Sequence, residues 1–165
     1  MHRTSSIFIL ALLAMASISG MATAEKSAGA EKSTSYVVHV TKNDFAAALF
    51  SLENAIVNRG LVIDHVGYLG KMLERTTQAT GGQSPYTSAR YLNFCSAKLS
   101  QAAMEANPEN IAICPYVMFV YELKAEPGKA RIGFRRPSGA IEPASQKAIA
   151  DIEKLLTDIA QEATE

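Results

Sequence analysis

The sequence predicts an α+β fold, a split β-α-β-like antiparallel sheet with helices packed on one face. Three observations predict it. Strand-like and helical runs alternate in the order strand, helix, strand, strand, helix, strand, strand, helix. The run at 111–123 is apolar on both faces through its centre, which favours an inner strand. The turn sequence at 126–129 leads into a returning strand at 130–135, which predicts a hairpin.

The first predicted elements are a strand at 36–40 and a helix after it, which Asn43 or Asp44 can cap by accepting an orphan amide hydrogen bond. Gly60 suits a left-handed C-cap just past this helix. The second strand spans 61–68, and alternation places Ile63 and His65 on one face, with Asp64 on the other.

The pattern at 70–77 also fits a short helix, and 79–88 is predicted to be a loop because it contains two glycines and a proline. A short strand follows at 90–94. Ser96 then opens a helix that Asn107-Pro108 ends. Pro115 interrupts the long strand at 111–123, so a bulge or the true start of the strand is expected there. The final helix spans 144–163.

The N-terminus predicts export. Residues 1–24 combine a short basic start, an apolar run and the small-residue pattern Ala22-Thr23-Ala24, which is typical of a cleaved signal peptide. Residues 25–34 are predicted to be a flexible lead-in, and 35–165 a single domain. The expected location is therefore periplasmic or secreted, with no membrane span after cleavage. The near-zero net charge gives no general attraction to nucleic acid or anionic membranes.

Two stretches resemble a known family. Residues 93–102 (NFCSAKLSQA) are similar to the strand-to-helix junction of the domain-of-unknown-function family numbered 302. Residues 107–122 (NPENIAICPYVMFVYE) resemble its apolar strand interrupted by proline, and 52–66 also fits, so the match spans about 36–137. The resemblance implies a compact α+β fold able to pair as a homodimer, and it implies no activity. Many members carry cysteine just after that proline, where this chain has Tyr116.

Cys95 and Cys114 leave two interpretations open. In an oxidising compartment they could form a disulfide, and otherwise they are two separate buried thiols. Cys95 precedes a helix N-terminus, which lowers a thiol pKa, so a free Cys95 would be reactive. This pair carries the alternative hypothesis of a thiol-disulfide redox protein.

The candidate cofactor-binding residues are His65, Tyr116 and Met118, and the candidate metal ligands are His65 and His39. Neutral imidazole ligates transition metals and haem iron, and the Met118 thioether suits a soft metal. Each residue also has an ordinary structural interpretation, a hydrogen-bonded histidine or a methionine that fills the core. The cofactor is therefore left unknown, with haem or a transition metal as the specific version.

Two further clusters are candidates for binding. Four tyrosines could rim an apolar pocket: Tyr86, Tyr91, Tyr116 and Tyr121. Three arginines could bind an anion or a partner's carboxylate, or could simply protect a hairpin edge: Arg131, Arg135 and Arg136.

Complete catalytic motifs are missing from the sequence. It has no C-x-x-C pair, no H-E-x-x-H helix, no phosphate-binding loop and no G-x-S-x-G elbow. The sequence therefore favours a non-enzymatic binding or sensing domain that holds a small molecule or metal between the sheet and the helices. A purely structural dimer module is the remaining alternative.

Overall fold

The computed structural model describes residues 31–165. The predicted signal peptide and residues 25–30 of the lead-in lie outside the described residues. The described part forms one sheet of six strands, in the order β1-β2-β6-β5-β4-β3, with antiparallel neighbours throughout. The strands are β1 Glu31–Lys32, β2 Tyr36–Val40, β3 Ile63–Gly67, β4 Tyr86–Phe94, β5 Tyr116–Leu123 and β6 Ala130–Arg135.

Four α-helices and one 3-10 helix accompany the sheet: α1 Phe45–Val57, α2 Leu69–Thr80, α3 Ala97–Ala106, the 3-10 helix Pro108–Ile113 and α4 Pro143–Glu162. Helices α1 and α4 pack on one face of the sheet, α3 packs on α4, and α2 contacts β4. This arrangement confirms the predicted α+β class. Among the described residues, no helix has both the length and the apolar character that a membrane crossing needs.

Burial alternates strictly along β5 and so defines the two faces of the sheet. Tyr116, Met118, Val120 and Glu122 are buried beneath the helices, on what we name the helix face. Val117, Phe119, Tyr121 and Leu123 are half-buried on the opposite face, which we name the open face. The hydrophobic core therefore lies between the helix face and the helices. Its fully buried members include Leu52, Ile56, Leu92, Phe94, Ile132, Phe134, Ile152, Leu156 and Ile159.

The helices begin where the sequence predicts caps. Asp44 accepts a hydrogen bond from the Ala47 amide at 2.9 Å. Ser96 similarly accepts one from the Leu99 amide at the start of α3. A third hydrogen bond to a helix start comes from the sheet: the Glu122 carboxylate accepts a hydrogen bond from the Phe45 amide at 3.2 Å. Each interaction satisfies an amide that has no partner within its helix, and the carboxylates also complement the helix dipole.

Two predicted strands and the predicted flexible lead-in differ from the observed structure. Only 116–123 of the long strand is extended, because the 3-10 helix takes up 108–113 and Pro115 cannot donate to a sheet ladder. Strand β4 begins at Tyr86, inside the predicted loop. Glu31–Lys32 of the predicted flexible lead-in pairs with β2, and the Ser33 hydroxyl holds the intervening turn by accepting the Ser35 and Tyr36 amides.

The predicted facing of β3 is also wrong. A register shift lies between Ile63 and His65. Ile63 pairs with buried Phe94 and so faces the helices, whereas His65 pairs with Asn93 on the open face. One extra residue in a strand reverses every later side chain, and simple alternation cannot anticipate it.

Asn110 fastens the segment between β6 and α4 to the rest of the fold. Its side chain is 1% exposed. Its Nδ2 donates to the Ala103 carbonyl at 2.8 Å and to the Ser145 hydroxyl at 2.9 Å. Its Oδ1 accepts the Ala140 amide at 3.0 Å. Gly139 packs so closely that a Cβ there would lie 2.5 Å from Oδ1, which explains a glycine at this position.

Candidate functional site: a groove on the open face of the sheet

A cavity of about 610 Å³ lies on the open face. Its lining includes five aromatic side chains, Tyr36, Tyr86, Tyr91, Phe119 and Tyr121, together with apolar residues of β2, β4, β5 and α2. We name it the open-face groove. This volume is within the range of small-molecule sites, which are typically lined by aromatic and aliphatic side chains. This cavity does not lie between the sheet and the helices, where the sequence predicts a site; buried core side chains pack in that region.

Two glycines create the room for the groove. Tyr91 and Phe119 are direct partners across β4 and β5. The Tyr91 ring lies away from Phe119, over Gly67 of β3, where any Cβ would overlap it. The Phe119 ring lies the opposite way, over Gly133 of β6, where a Cβ would come within 2.7 Å of the ring. The two rings therefore diverge, and the space between them remains open.

Tyrosines continue the aromatic lining toward one end of the groove. The Tyr86 and Tyr121 rings meet edge to face with centroids 5.4 Å apart. Phe119 and Tyr121 lie 6.1 Å apart between centroids. Such edge-to-face and tilted pairs are favourable arrangements, so the rings stabilise one another in these positions. The predicted tyrosine rim is therefore present for Tyr86, Tyr91 and Tyr121, whereas Tyr116 faces the helices.

The three clustered arginines have different surroundings. Arg131 pairs with Glu126 and lies 5.9 Å from the centre of the Tyr121 ring. The hydrogen bond that Arg131 donates, together with its positive charge, lowers the pKa of the Glu126 carboxyl. Arg136 pairs with Glu153. Arg135 is exposed and lines the groove, and within the described part of the chain it forms no ion pair.

A second cavity of about 240 Å³ adjoins the first, and Arg135 lines both. Arg136 and Ser138 contribute further polar groups to the second cavity. Among the described residues that line the two cavities, none is acidic. This end of the open face therefore carries uncompensated positive charge, although the chain as a whole has equal numbers of acidic and basic residues.

The predicted metal and cofactor residues do not converge. His39 pairs with Ile132 on the helix face, whereas His65 is exposed on the open face. Four strand spacings separate them, roughly 19 Å at the usual distance between strands. Tyr116 and Met118 are buried on the helix face, away from His65. The described residues hold no group of three or more side chains of the types His, Cys, Asp and Glu that could bind a metal ion.

The two cysteines lie together and are joined as a disulfide, with their Cα atoms 6.2 Å apart. Ser100 Oγ lies 3.1 Å from Cys114 Sγ and 2.9 Å from the Tyr116 hydroxyl. Burial raises the pKa of that hydroxyl, and hydrogen bonds with Ser100 and the Ser96 backbone partly oppose the effect. Both cysteines are half-buried, so the disulfide is not sealed within the core.

Sequence reasoning missed Phe119, Tyr36 and the two glycines. A signal for the glycines exists, since glycine within a strand indicates close approach of another group. This signal identifies the groove only when the strand pairing is known, because the pairing shows which aromatic residue lies opposite each glycine.

The fold and the groove define a small α+β domain with a ligand-sized cavity on the uncovered face of its sheet. The family model described as "Domain of unknown function DUF302" matches residues 36–164. The chain therefore belongs to the DUF302 family, which confirms the resemblance seen in its sequence.

One solved structure shows the same fold. It is the crystal structure of an uncharacterised conserved DUF302 protein from Bacillus stearothermophilus, with a TM-score of 0.64 and 17% sequence identity. The match covers 79% of this chain and 99% of that one. No curated protein matches this chain.

Proposed function

We propose that this chain is an exported, non-enzymatic binding domain that holds a small, planar, largely apolar molecule in the open-face groove. The groove itself carries the proposal, because its volume of about 610 Å³ and its aromatic lining suit such a ligand. Burial of a planar apolar molecule between tyrosine and phenylalanine rings is favourable for two reasons. It removes apolar surface of both partners from water, and it allows the aromatic rings to stack.

Two observations support the exported part of the proposal. Residues 1–24 carry the signal-peptide pattern. Cys95 and Cys114 are paired, and disulfides persist in oxidising compartments. The proposal does not include haem or a transition metal, since His65 lies on the open face and His39 and Met118 lie on the helix face, so the three residues do not face one common site.

The neutral fluorescent probe N-phenyl-1-naphthylamine tests the proposal. Its fluorescence should rise on binding to the purified protein. Gly67→Ala should weaken binding at least tenfold, about 1.4 kcal/mol, because the new Cβ displaces the Tyr91 ring toward the groove. The matched control is Gly82→Ala, where a Cβ meets no atom closer than 3.9 Å and binding should not change.

A rescue variant separates blocking from unfolding. Gly67→Ala combined with Tyr91→Ala removes the displaced ring and should restore binding of the probe. Absence of binding to the unmodified protein would contradict the proposal. Equal binding by Gly67→Ala and the unmodified protein would place the probe elsewhere.

A second copy of the chain is the competing occupant of the open face. Light scattering coupled to size-exclusion chromatography, with and without the probe, distinguishes the two cases. A dimer that Tyr36→Asp dissociates, and that excludes the probe, would replace the binding proposal with a structural dimer module. A dimer that binds the probe unchanged would leave the groove available to a ligand.

The disulfide supports a second candidate, a thiol-disulfide redox function. The favouring observation is Ser100 Oγ, 3.1 Å from Cys114 Sγ, where it can donate to a thiolate after reduction. Equilibration with glutathione redox buffers, followed by alkylation and mass measurement, tests it. A pair that reduces in mildly reducing buffer supports exchange chemistry, and a pair that stays oxidised is structural.

A further inference from the structure

We infer that the ligand of the open-face groove is an acid, a planar apolar body with one anionic group, and that Arg135 holds the anion. The inference rests on the proposed function, because it assigns the chemical class of the ligand for that same groove. The groove supplies the apolar part of the recognition, and the inference concerns the charged end.

Arg135 differs from the ion-paired arginines around it in lacking a carboxylate. Arg90 also lines the groove without an ion pair to any described residue, but its guanidinium lies over the Tyr68 ring, 4.0 Å from the ring centre. Arg131 pairs with Glu126, Arg136 with Glu153 and Arg59 with Glu162. Arg135 lies in the same hairpin strand as Arg131 and directly precedes Arg136 in the chain. Its exposed guanidinium forms no ion pair within residues 31–165. It is therefore available for a planar, two-point contact with an anion, which guanidinium makes better than ammonium.

The register brings Arg135 to the groove. It pairs with Tyr36 on β2, and both side chains line the cavity. Val117, on the same face of β5, also lines it. An anion bound to Arg135 would therefore lie next to the Tyr36 and Val117 side chains, and these would partly shield it from water. Partial removal from water strengthens attraction between opposite charges.

The surrounding charges favour an acid over a neutral or a basic ligand. No described residue that lines either cavity is acidic, so no carboxylate there would form an ion pair with a cationic ligand. A neutral body lying across Arg135 would remove its guanidinium from water without a partner, which is unfavourable. Among the described residues that line the groove, Arg90 and Arg135 are the two arginines without an ion pair, and two such charges on a chain of zero net charge do not form the basic surface that nucleic acid requires.

Two probes with one common body test the inference. N-phenyl-1-naphthylamine is neutral, and 1-anilinonaphthalene-8-sulfonate adds one anionic group to the same ring system. The unmodified protein should bind the sulfonate more tightly. Arg135→Gln should weaken sulfonate binding about tenfold, as the loss of one charge-assisted hydrogen-bonded contact implies, and should leave the neutral probe within about twofold.

Arg75→Gln is the matched control, because Arg75 is exposed on α2 and lines neither cavity. It should leave both affinities unchanged. Added salt should weaken the sulfonate and spare the neutral probe, and Arg135→Gln should reduce this salt dependence.

The outcomes separate this inference from the proposed function. If neither probe binds the unmodified protein, the groove is not a binding site and both ideas fail. If both probes bind alike and Arg135→Gln changes neither, the groove binds apolar molecules and the assignment of an acid is wrong. Equal losses in Arg135→Gln and Arg75→Gln would show a general charge effect and would also overturn the role of Arg135.

Discussion

Replacement of Asn110 by alanine should strongly destabilise the fold, and the structure gives the size of the effect. The Asn110 side chain makes three hydrogen bonds, to Ala103, Ser145 and Ala140, and is 1% exposed. At about 1 kcal/mol for each bond lost at a buried site, the free energy of unfolding should fall by about 3 kcal/mol. For a domain of this size, that corresponds to a drop in Tm of about 10 °C.

Urea unfolding followed by far-UV circular dichroism measures this change, with the disulfide kept intact so that the unfolded reference is constant. Asn58→Ala is the matched control. Asn58 is exposed, and its hydrogen bonding is through the backbone amide and not through the side chain. Its replacement by alanine should therefore lower the free energy of unfolding by no more than about 0.5 kcal/mol. A loss below about 1 kcal/mol for Asn110→Ala would refute the reasoning, since it would mean that water satisfies all three partners.

Two further predictions concern the region around the disulfide. Replacement of Cys95 and Cys114 together by serine should lower the free energy of unfolding by about 3 kcal/mol, as expected for a 19-residue separation, and urea unfolding of both proteins checks it. Because the folded-state pKa of Tyr116 is raised above its ordinary value of 10.0, its stabilising contribution is full below that pH and is lost as the pH rises through the raised value. Tyr116→Phe should therefore flatten the fall in stability above pH 10, and unfolding curves at pH 9 and above would contradict this if the two proteins lost stability in parallel.

The elements predicted best are those whose signals are local. Strand 36–40 has the predicted bounds, and Asp44 and Ser96 cap their helices as expected, because capping depends on neighbouring residues alone. The apolar run 111–123 predicts a strand with a bulge or its true start at Pro115, and the second alternative is confirmed, because a 3-10 helix occupies 108–113 and the strand begins at Tyr116. Apolar character alone does not distinguish a strand from other buried structure.

The candidate site was partly predictable. The sequence identifies three rim tyrosines and the arginine cluster that contains Arg135, but it does not show which face of the sheet they occupy or which arginine lacks an ion pair. The bulge in β3 places the His65 side chain on the opposite face from the predicted one. The alternation of side chains along β5 places Tyr116 on the helix face, among the core residues. The openness of the groove depends on Tyr91 lying opposite Gly67 and Phe119 opposite Gly133. Such pairings join distant parts of the chain, so they follow from the register and not from local pattern.

The shape of the open-face groove depends on the two rings that lie over glycines, Tyr91 and Phe119, and the stability of the fold depends on a different set of side chains. The core between the helix face and the helices stabilises the fold. On the open face, the position of an aromatic ring depends on whether the neighbouring strand has a side chain opposite it. At Gly67 the nearest atoms to an added Cβ belong to the Tyr91 side chain, so a larger residue there would redirect that ring. At Gly133 an added Cβ would also overlap the Val37 carbonyl oxygen, so a larger residue there would disturb the sheet itself. Under the proposed function, related chains with this scaffold would differ in the molecules they bind through a few substitutions on the open face of the sheet.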